Sequence, residues 1–124
     1  MLGNHPMYVV LLATDLAAAK DFYHRKLGLE LLDESPFALN FRSGTTQLTL
    51  SKSTTGTSDE QTQAAWMVDD LDAELADLRS GGIEIQEYDT PGLKTVDGIV
   101  DIGFARIAWL IDPFKNCLGI MQPK

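Results

Sequence analysis

Residues 13–30 read ATDLAAAKDFYHRKLGLE, and residues 68–84 read VDDLDAELADLRSGGIE. In the first stretch Asp15 stands where a helix N-cap belongs, since its carboxylate can accept from the free amides of the first turn. Leu16, Ala19, Phe22 or Tyr23, and Leu27 then recur at near-helical spacing, while Lys20, Asp21, His24, Arg25 and Lys26 fall toward water. Gly28 supplies the conformation that ends the helix. The second stretch repeats the plan, with Asp69-Asp70 as the cap pair, Leu71, Leu75 and Leu78 on one face, and a stop at Ser80-Gly81-Gly82. Laying Thr14-Asp15-Leu16 on Asp69-Asp70-Leu71 brings Leu27-Gly28-Leu29-Glu30 to within one residue of Gly81-Gly82-Ile83-Glu84. The chain is an internal duplication.

Outward from these helices, apolar alternation and turn residues mark strands in the same order in each half. The first half reads as strand 8–13, the helix, then strands 29–33, 37–42 and 47–51, separated by Ser35-Pro36 and Ser43-Gly44. Residues 53–61 contain only Ser, Thr, Gly, Asp, Glu and Gln, a linker composition with too little apolar surface to pack. The second half reads as strand 63–68, the helix, strand 83–87, a long irregular stretch, strand 104–111, a turn at Asp112-Pro113 and strand 117–121. The expectation is one α+β domain over residues 1–124, made of two tandem βαβββ modules at about 6–52 and 62–122.

Composition narrows the function classes. The chain has 124 residues, 44% of them hydrophobic and 23% charged, which suits one globular core. A net charge of −8 opposes binding to nucleic acid or to an anionic membrane surface. No apolar run approaches the ~20 residues of a membrane span, and the start has no secretory pattern, so a cytoplasmic location is expected. Cys117, the single cysteine, has no internal disulfide partner and reads as a plain buried residue.

With Ala13-Thr14-Asp15-Leu16, Asp21-Phe22-Tyr23, Leu27-Gly28-Leu29, Val68-Asp69-Asp70-Leu71, Leu78, Gly82, and Asp112-Pro113 with Asn116, nearly the whole chain resembles the vicinal oxygen chelate superfamily. That superfamily includes glyoxalase I, extradiol dioxygenases, fosfomycin-modifying enzymes and bleomycin-binding proteins. The resemblance implies that the two modules curl into a curved, open mixed sheet around a concave cavity, and that chains of this length pair as homodimers. Metal-binding members take one ligand from the first and one from the last strand of each module. Carried over, those places are Tyr8, Gln47, Gln63 and Gly119 here. Two amides, a phenol and a glycine lack the basicity a divalent ion wants. His5, followed by Pro6, and His24, on the exposed helix face, do not repair the set, so no metal and no other cofactor is expected.

If the family positions look inward, period-2 alternation brings Val10 and Leu12 in with Tyr8, Thr49 and Ser51 with Gln47, and Ala65 and Met67 with Gln63. The candidate ligand-binding residues are therefore Tyr8, Val10, Gln47, Thr49, Gln63 and Met67, joined by Arg42 and Arg106 as possible grips on an anionic group. Gln47 and Thr49 also suit a solvated sheet face with no ligand. The two arginines equally suit structural ion pairs, with Asp101 and Glu87 as available carboxylates, and Trp66 and Trp109 suit the core. Residues 88–103, with Leu93, Val96, Ile99 and Val100, read as a lid over the cavity or a contact between subunits. The expected function is metal-independent binding of a small organic molecule, for sequestration or sensing, by a homodimer. The alternative is a glyoxalase-like lyase or isomerase, or a dioxygenase-related enzyme, for which Asp101, Glu87 and Tyr8 are the available bases.

Overall fold

A computed structural model describes residues 1–124. Both cap assignments hold. Asp15 and Asp70 have nearly the same backbone angles, φ −139° and ψ 105° against φ −138° and ψ 92°, and each carboxylate accepts from the amide three residues on, Ala18 and Ala73, at 3.1 Å. Helix α1 (Leu16–Lys20) runs on through a π turn (Asp21–Lys26), whereas α2 (Leu71–Ser80) is α-helical throughout. Gly28 and Gly82, at φ 79° and 84°, follow the two helices.

The π turn accounts for the one residue by which the two repeats fail to superimpose. The Leu27 amide reaches back five residues to the Phe22 carbonyl at 2.9 Å, and a turn of that width takes in an extra residue. It also resolves the choice between Phe22 and Tyr23: both are buried, edge to face with ring centres 5.2 Å apart, and Tyr23 lies 6.0 Å from the Phe41 ring.

The chain forms two compact units, residues 1–56 and 57–124, each with a four-stranded mixed sheet. In the first, β1 (Val9–Ala13) lies parallel to β4 (Thr46–Lys52), which is followed outward by β3 (Ala38–Ser43) and β2 (Glu30–Glu34), both antiparallel to their neighbours. The second unit repeats this order, with β5 (Thr62–Met67) parallel to β10 (Cys117–Pro123), then β9 (Ala105–Ile111) and a short edge strand, β8 (Val100–Asp101). Helix α1 packs on β3 and β4, and Leu39, Phe41, Leu48 and Leu50 are buried there. In the second unit Leu71, Leu75, Ala108, Leu110, Leu118 and Ile120 are buried.

Two expectations for the second unit are corrected. Residues 83–87 form no strand, although Ile83 and Ile85 are buried. The Gln86 amide makes one bond to the Trp109 carbonyl at 2.9 Å, and Val100–Asp101 pairs with the other end of β9, so two short pieces share one edge. The apolar alternation there signals packing without a ladder. Residues 88–103 are likewise not irregular but fold into two tight turns. In the first, Pro91-Gly92 joins β6 (Asp89–Thr90) to β7 (Leu93–Lys94), with Gly92 at φ 86°. In the second, Asp97-Gly98 links the bridged pair Val96 and Ile99 at φ 53° and 81°, the combination a type I′ turn requires.

This segment is tied to its own unit. The Arg79 guanidinium donates to the Asp97 carbonyl at 2.8 Å, and a Cβ on Gly98 would come within 2.5 Å of Ile85. Buried Thr95 accepts from the Tyr88 amide at 2.8 Å.

The turn between β9 and β10 is organised by a buried carboxylate. Asp112 Oδ1 accepts from the Phe114 and Asn116 amides, and Oδ2 from the Asn116 side chain, all at 2.8 Å. An Asp112→Ala variant leaves those donors buried and unmet, a loss of roughly 2–4 kcal/mol. Urea denaturation of the purified variant is expected to show a lowered midpoint with an unchanged slope.

Candidate functional site

In the first unit, with Leu11 and Ala13 buried on one side of β1, the other side leaves Tyr8, Val10 and Leu12 exposed, the face assigned by alternation. Tyr8, Arg42 and Gln47 line one groove of about 450 Å³ with Pro6, Met7, Leu32 and Thr46. That is within the size range of small-molecule sites. Cross-strand register explains the meeting: Arg42 pairs with Gln47 between β3 and β4, and Asn40 pairs with Thr49, which in turn pairs with Val10 of β1. Five of the eight residues proposed for ligand contact, Tyr8, Val10, Arg42, Gln47 and Thr49, thus share one sheet face.

A hydrogen-bonded chain crosses this face. Asn40 Nδ2 donates to Asp33 Oδ1 at 2.6 Å; Thr49 Oγ1 donates to Asn40 Oδ1 at 2.6 Å; Gln47 Nε2 donates to Asn40 Oδ1 at 3.3 Å and to Thr49 Oγ1 at 3.4 Å. Asn40 and Asp33 were not singled out from the sequence. Asn40 shares the parity of Arg42 on β3, which was signal enough to find it. Asp33 has the wrong parity with respect to Glu30, and reaches Asn40 because a bulge between Leu31 and Asp33 shifts the register. Arg42 Nε donates to Glu30 Oε2 at 2.9 Å, so the guanidinium is an exposed ion pair at the groove rather than an unpaired charge.

In the second unit the remaining candidates do not converge. Gln63 lines a shallow depression of about 150 Å³ with Thr57, Ser58, Glu60 and Gln61, while Met67, at the far end of β5, is 71% exposed. Arg106 binds Asp72 on α2 through both terminal nitrogens at 3.0 and 3.2 Å, not Asp101 or Glu87. This contact holds the Asp72 carboxyl below its ordinary range. Asp101 is held by Lys124, and accepts from the Gly103 amide at 2.8 Å; both bonds lower its pKa, Lys124 more, which weakens it as a base.

Trp109 donates from Nε1 to Thr62 Oγ1 at 3.0 Å and meets Tyr88 edge to face at 5.6 Å. Cys117 is buried, and burial pushes its thiol above the ordinary range, as it does the Tyr88 phenol, consistent with a structural and not a nucleophilic cysteine.

No three His, Cys, Asp or Glu side chains gather closely enough to hold a metal ion. The places that the family resemblance assigns to metal ligands hold Tyr8 and Gln47 in the first unit and Gln63 and Gly119 in the second, and this donor set does not fit a divalent cation. His24 Nδ1 is committed to the Leu29 carbonyl at 2.7 Å. No helix is long and apolar enough to cross a membrane.

Comparison with known proteins agrees with this architecture. A glyoxalase/bleomycin resistance protein/dioxygenase from Alicyclobacillus acidocaldarius superposes with a TM-score of 0.75 at 22% identity, covering 97% of this chain and 92% of that one. TnmS3, an antibiotic binding protein from a Streptomyces species, gives 0.69 at 24% identity over 97% and 96% of the two chains. A lactoylglutathione lyase from Agrobacterium tumefaciens gives 0.71 at 20% identity over 95% and 92%. At these identities the likeness is one of fold. Among curated proteins none matches the sequence significantly. The sequence pattern of one family matches residues 5–115, and the chain belongs to the Glyoxalase/Bleomycin resistance protein/Dioxygenase superfamily.

Proposed function

We propose that the protein binds a small organic molecule in the groove on the open face of its first unit, for sequestration or sensing, and does so without a divalent metal. The observation that carries this reading is the meeting of Tyr8, Arg42 and Gln47 in one groove beside a sheet face that keeps an ordered polar chain and exposed apolar side chains. Neutral donors and acceptors in a partly apolar pocket orient a ligand at little desolvation cost. The fold shared with an antibiotic binding protein supports the same reading. The net charge of −8 is compatible with a cationic ligand and with a cytoplasmic location.

A ligand that binds only the folded form raises stability by mass action, ~2.7 kcal/mol at a hundredfold excess over its dissociation constant. A thermal-shift screen of metabolites and cationic antibiotics is expected to return hits whose shift is lost in Gln47→Leu and Tyr8→Ala. Hits that keep their full shift in both folded variants would move the site elsewhere.

The second reading is a glyoxalase-like lyase or isomerase, or a dioxygenase-related enzyme, and family membership favours it. Such reactions use a metal to polarise an oxygen, and the four replaced positions do not supply that ion's ligands. Elemental analysis of gently purified protein is expected to give well under one zinc, nickel, iron or manganese per chain. A stoichiometric metal would displace the binding reading.

We further propose a homodimer. Each sheet leaves edge strands, and Phe37 and Phe104 are 76% and 70% exposed. Light scattering at micromolar concentration should return twice the chain mass of 13.6 kDa, and a monomer mass would refute it.

A further inference from the structure

We infer that the groove of the first unit selects ligands carrying an N–H or O–H donor, because Asp33, acting through Asn40, fixes which end of the Gln47 amide is offered. This inference rests on the groove being a ligand site, and it concerns the chemistry that site accepts.

A carboxylate can accept hydrogen bonds but has none to give, so the short contact between Asp33 and Asn40 has only one possible sense: Asn40 Nδ2 donates. That choice turns Asn40 Oδ1 toward β4, where an amide oxygen can only accept. Thr49 Oγ1 therefore donates to it at 2.6 Å, and Gln47 presents its nitrogen at 3.3 Å. Gln47 Nε2 also reaches Thr49 Oγ1, whose proton is already committed, at 3.4 Å. With its nitrogen engaged on both sides, Gln47 leaves Oε1 without a donor from the protein, in a residue that lines the groove. The four-residue chain converts a carboxylate on the outer strand into a polarity at the groove wall.

The local backbone supports a dedicated arrangement. Leu31 pairs with Phe41, and regular alternation would set Leu32 opposite Asn40; the bulge instead sets Asp33 there and leaves Leu32 to line the groove. The same irregularity thus provides both the carboxylate that orients the amide and an apolar surface beside it. An amine, amide, phenol or alcohol on an apolar frame complements Oε1 and Leu32. A carboxylate or phosphonate aimed at Oε1 meets a lone pair.

The test has two arms. In the free protein, side-chain amide protons of Gln47 are expected to exchange with solvent about fivefold more slowly than those of exposed Gln61, the factor that one hydrogen bond of ordinary net strength gives. In Asp33→Leu, which removes the acceptor for Asn40 Nδ2, the protection should fall to the Gln61 level while backbone resonances outside β2 and β3 stay in place. Equal exchange for Gln47 and Gln61 in the wild type, or protection unchanged in Asp33→Leu, overturns the relay.

In the second arm, nuclear magnetic resonance titrations use benzamide against N,N-dimethylbenzamide, phenol against anisole, and benzoate. The donor-bearing member of each pair is expected to perturb the Tyr8, Arg42 and Gln47 amides with at least fivefold tighter binding than its methylated partner, and the preference should vanish in Asp33→Leu. Equal binding within the pairs, or benzoate as the tightest probe, overturns the donor preference while leaving the groove a ligand site. Silence from every probe at millimolar concentration overturns the preference together with the ligand-binding reading, and the exchange arm still decides the relay by itself.

Discussion

Each sheet has one helix of its own, and the extent of apolar burial follows from that. On the first sheet the helix-facing residues Leu39, Phe41, Leu48 and Leu50 are 6% exposed or less, whereas their alternates Asn40, Arg42, Gln47 and Ser51 keep access to solvent. Alternation makes this division unavoidable, since successive side chains on a strand leave by opposite faces. The polar face is consequently available for hydrogen-bonding chemistry without weakening the core beneath it. The helix caps enforce the division by fixing where each helix begins: Asp15 and Asp70 hold the first turns in matching geometry.

The two units use their open faces differently although they share strand order. In the first, amides, a hydroxyl and a carboxylate are joined in one chain, and their free end lies in a groove. In the second, Trp109, Thr62 and buried Cys117 occupy the corresponding sheet, where the indole donates to Thr62 and meets the ring of Tyr88 from outside the sheet. Gly119 belongs to this packing: a Cβ there would sit 3.4 Å from Ala65 and 3.6 Å from the Trp109 nitrogen. Duplication supplied two frames, and side-chain chemistry on one face distinguishes them.

Much of this was legible in the sequence because the signals were periodic or stereochemical. Cap aspartates, glycine stops and alternation located both helices and all seven strands of five or more residues, and put Val10, Gln47 and Thr49 on one face of the first sheet with Tyr8 just before it. The failures occur where a local irregularity breaks the period. Ile83 and Ile85 alternate like a strand because they are buried, but the hydrogen bonds on that edge are divided between Gln86 and Val100–Asp101. Asp33 was invisible because a bulge reverses its parity, and the partner of Arg106 was missed because a carboxylate on a helix turn is distant in sequence. The segment at 88–103 reads as one long irregular lid or subunit contact because its turn signals, Pro91-Gly92 and Asp97-Gly98, were not matched to the short pairings that flank each of them.

The π turn in the first helix bears on how such a chain can change. An added residue inside a strand inverts the faces of everything beyond it unless a bulge takes it up, as one does between Leu31 and Asp33; in the first helix the extra residue is absorbed within the wide turn between Phe22 and Leu27. The cap before it and the glycine after it keep their roles, and both sheets keep the same strand order. After gene duplication, the helix is therefore an element in which one copy can gain a codon without altering the plan it shares with the other.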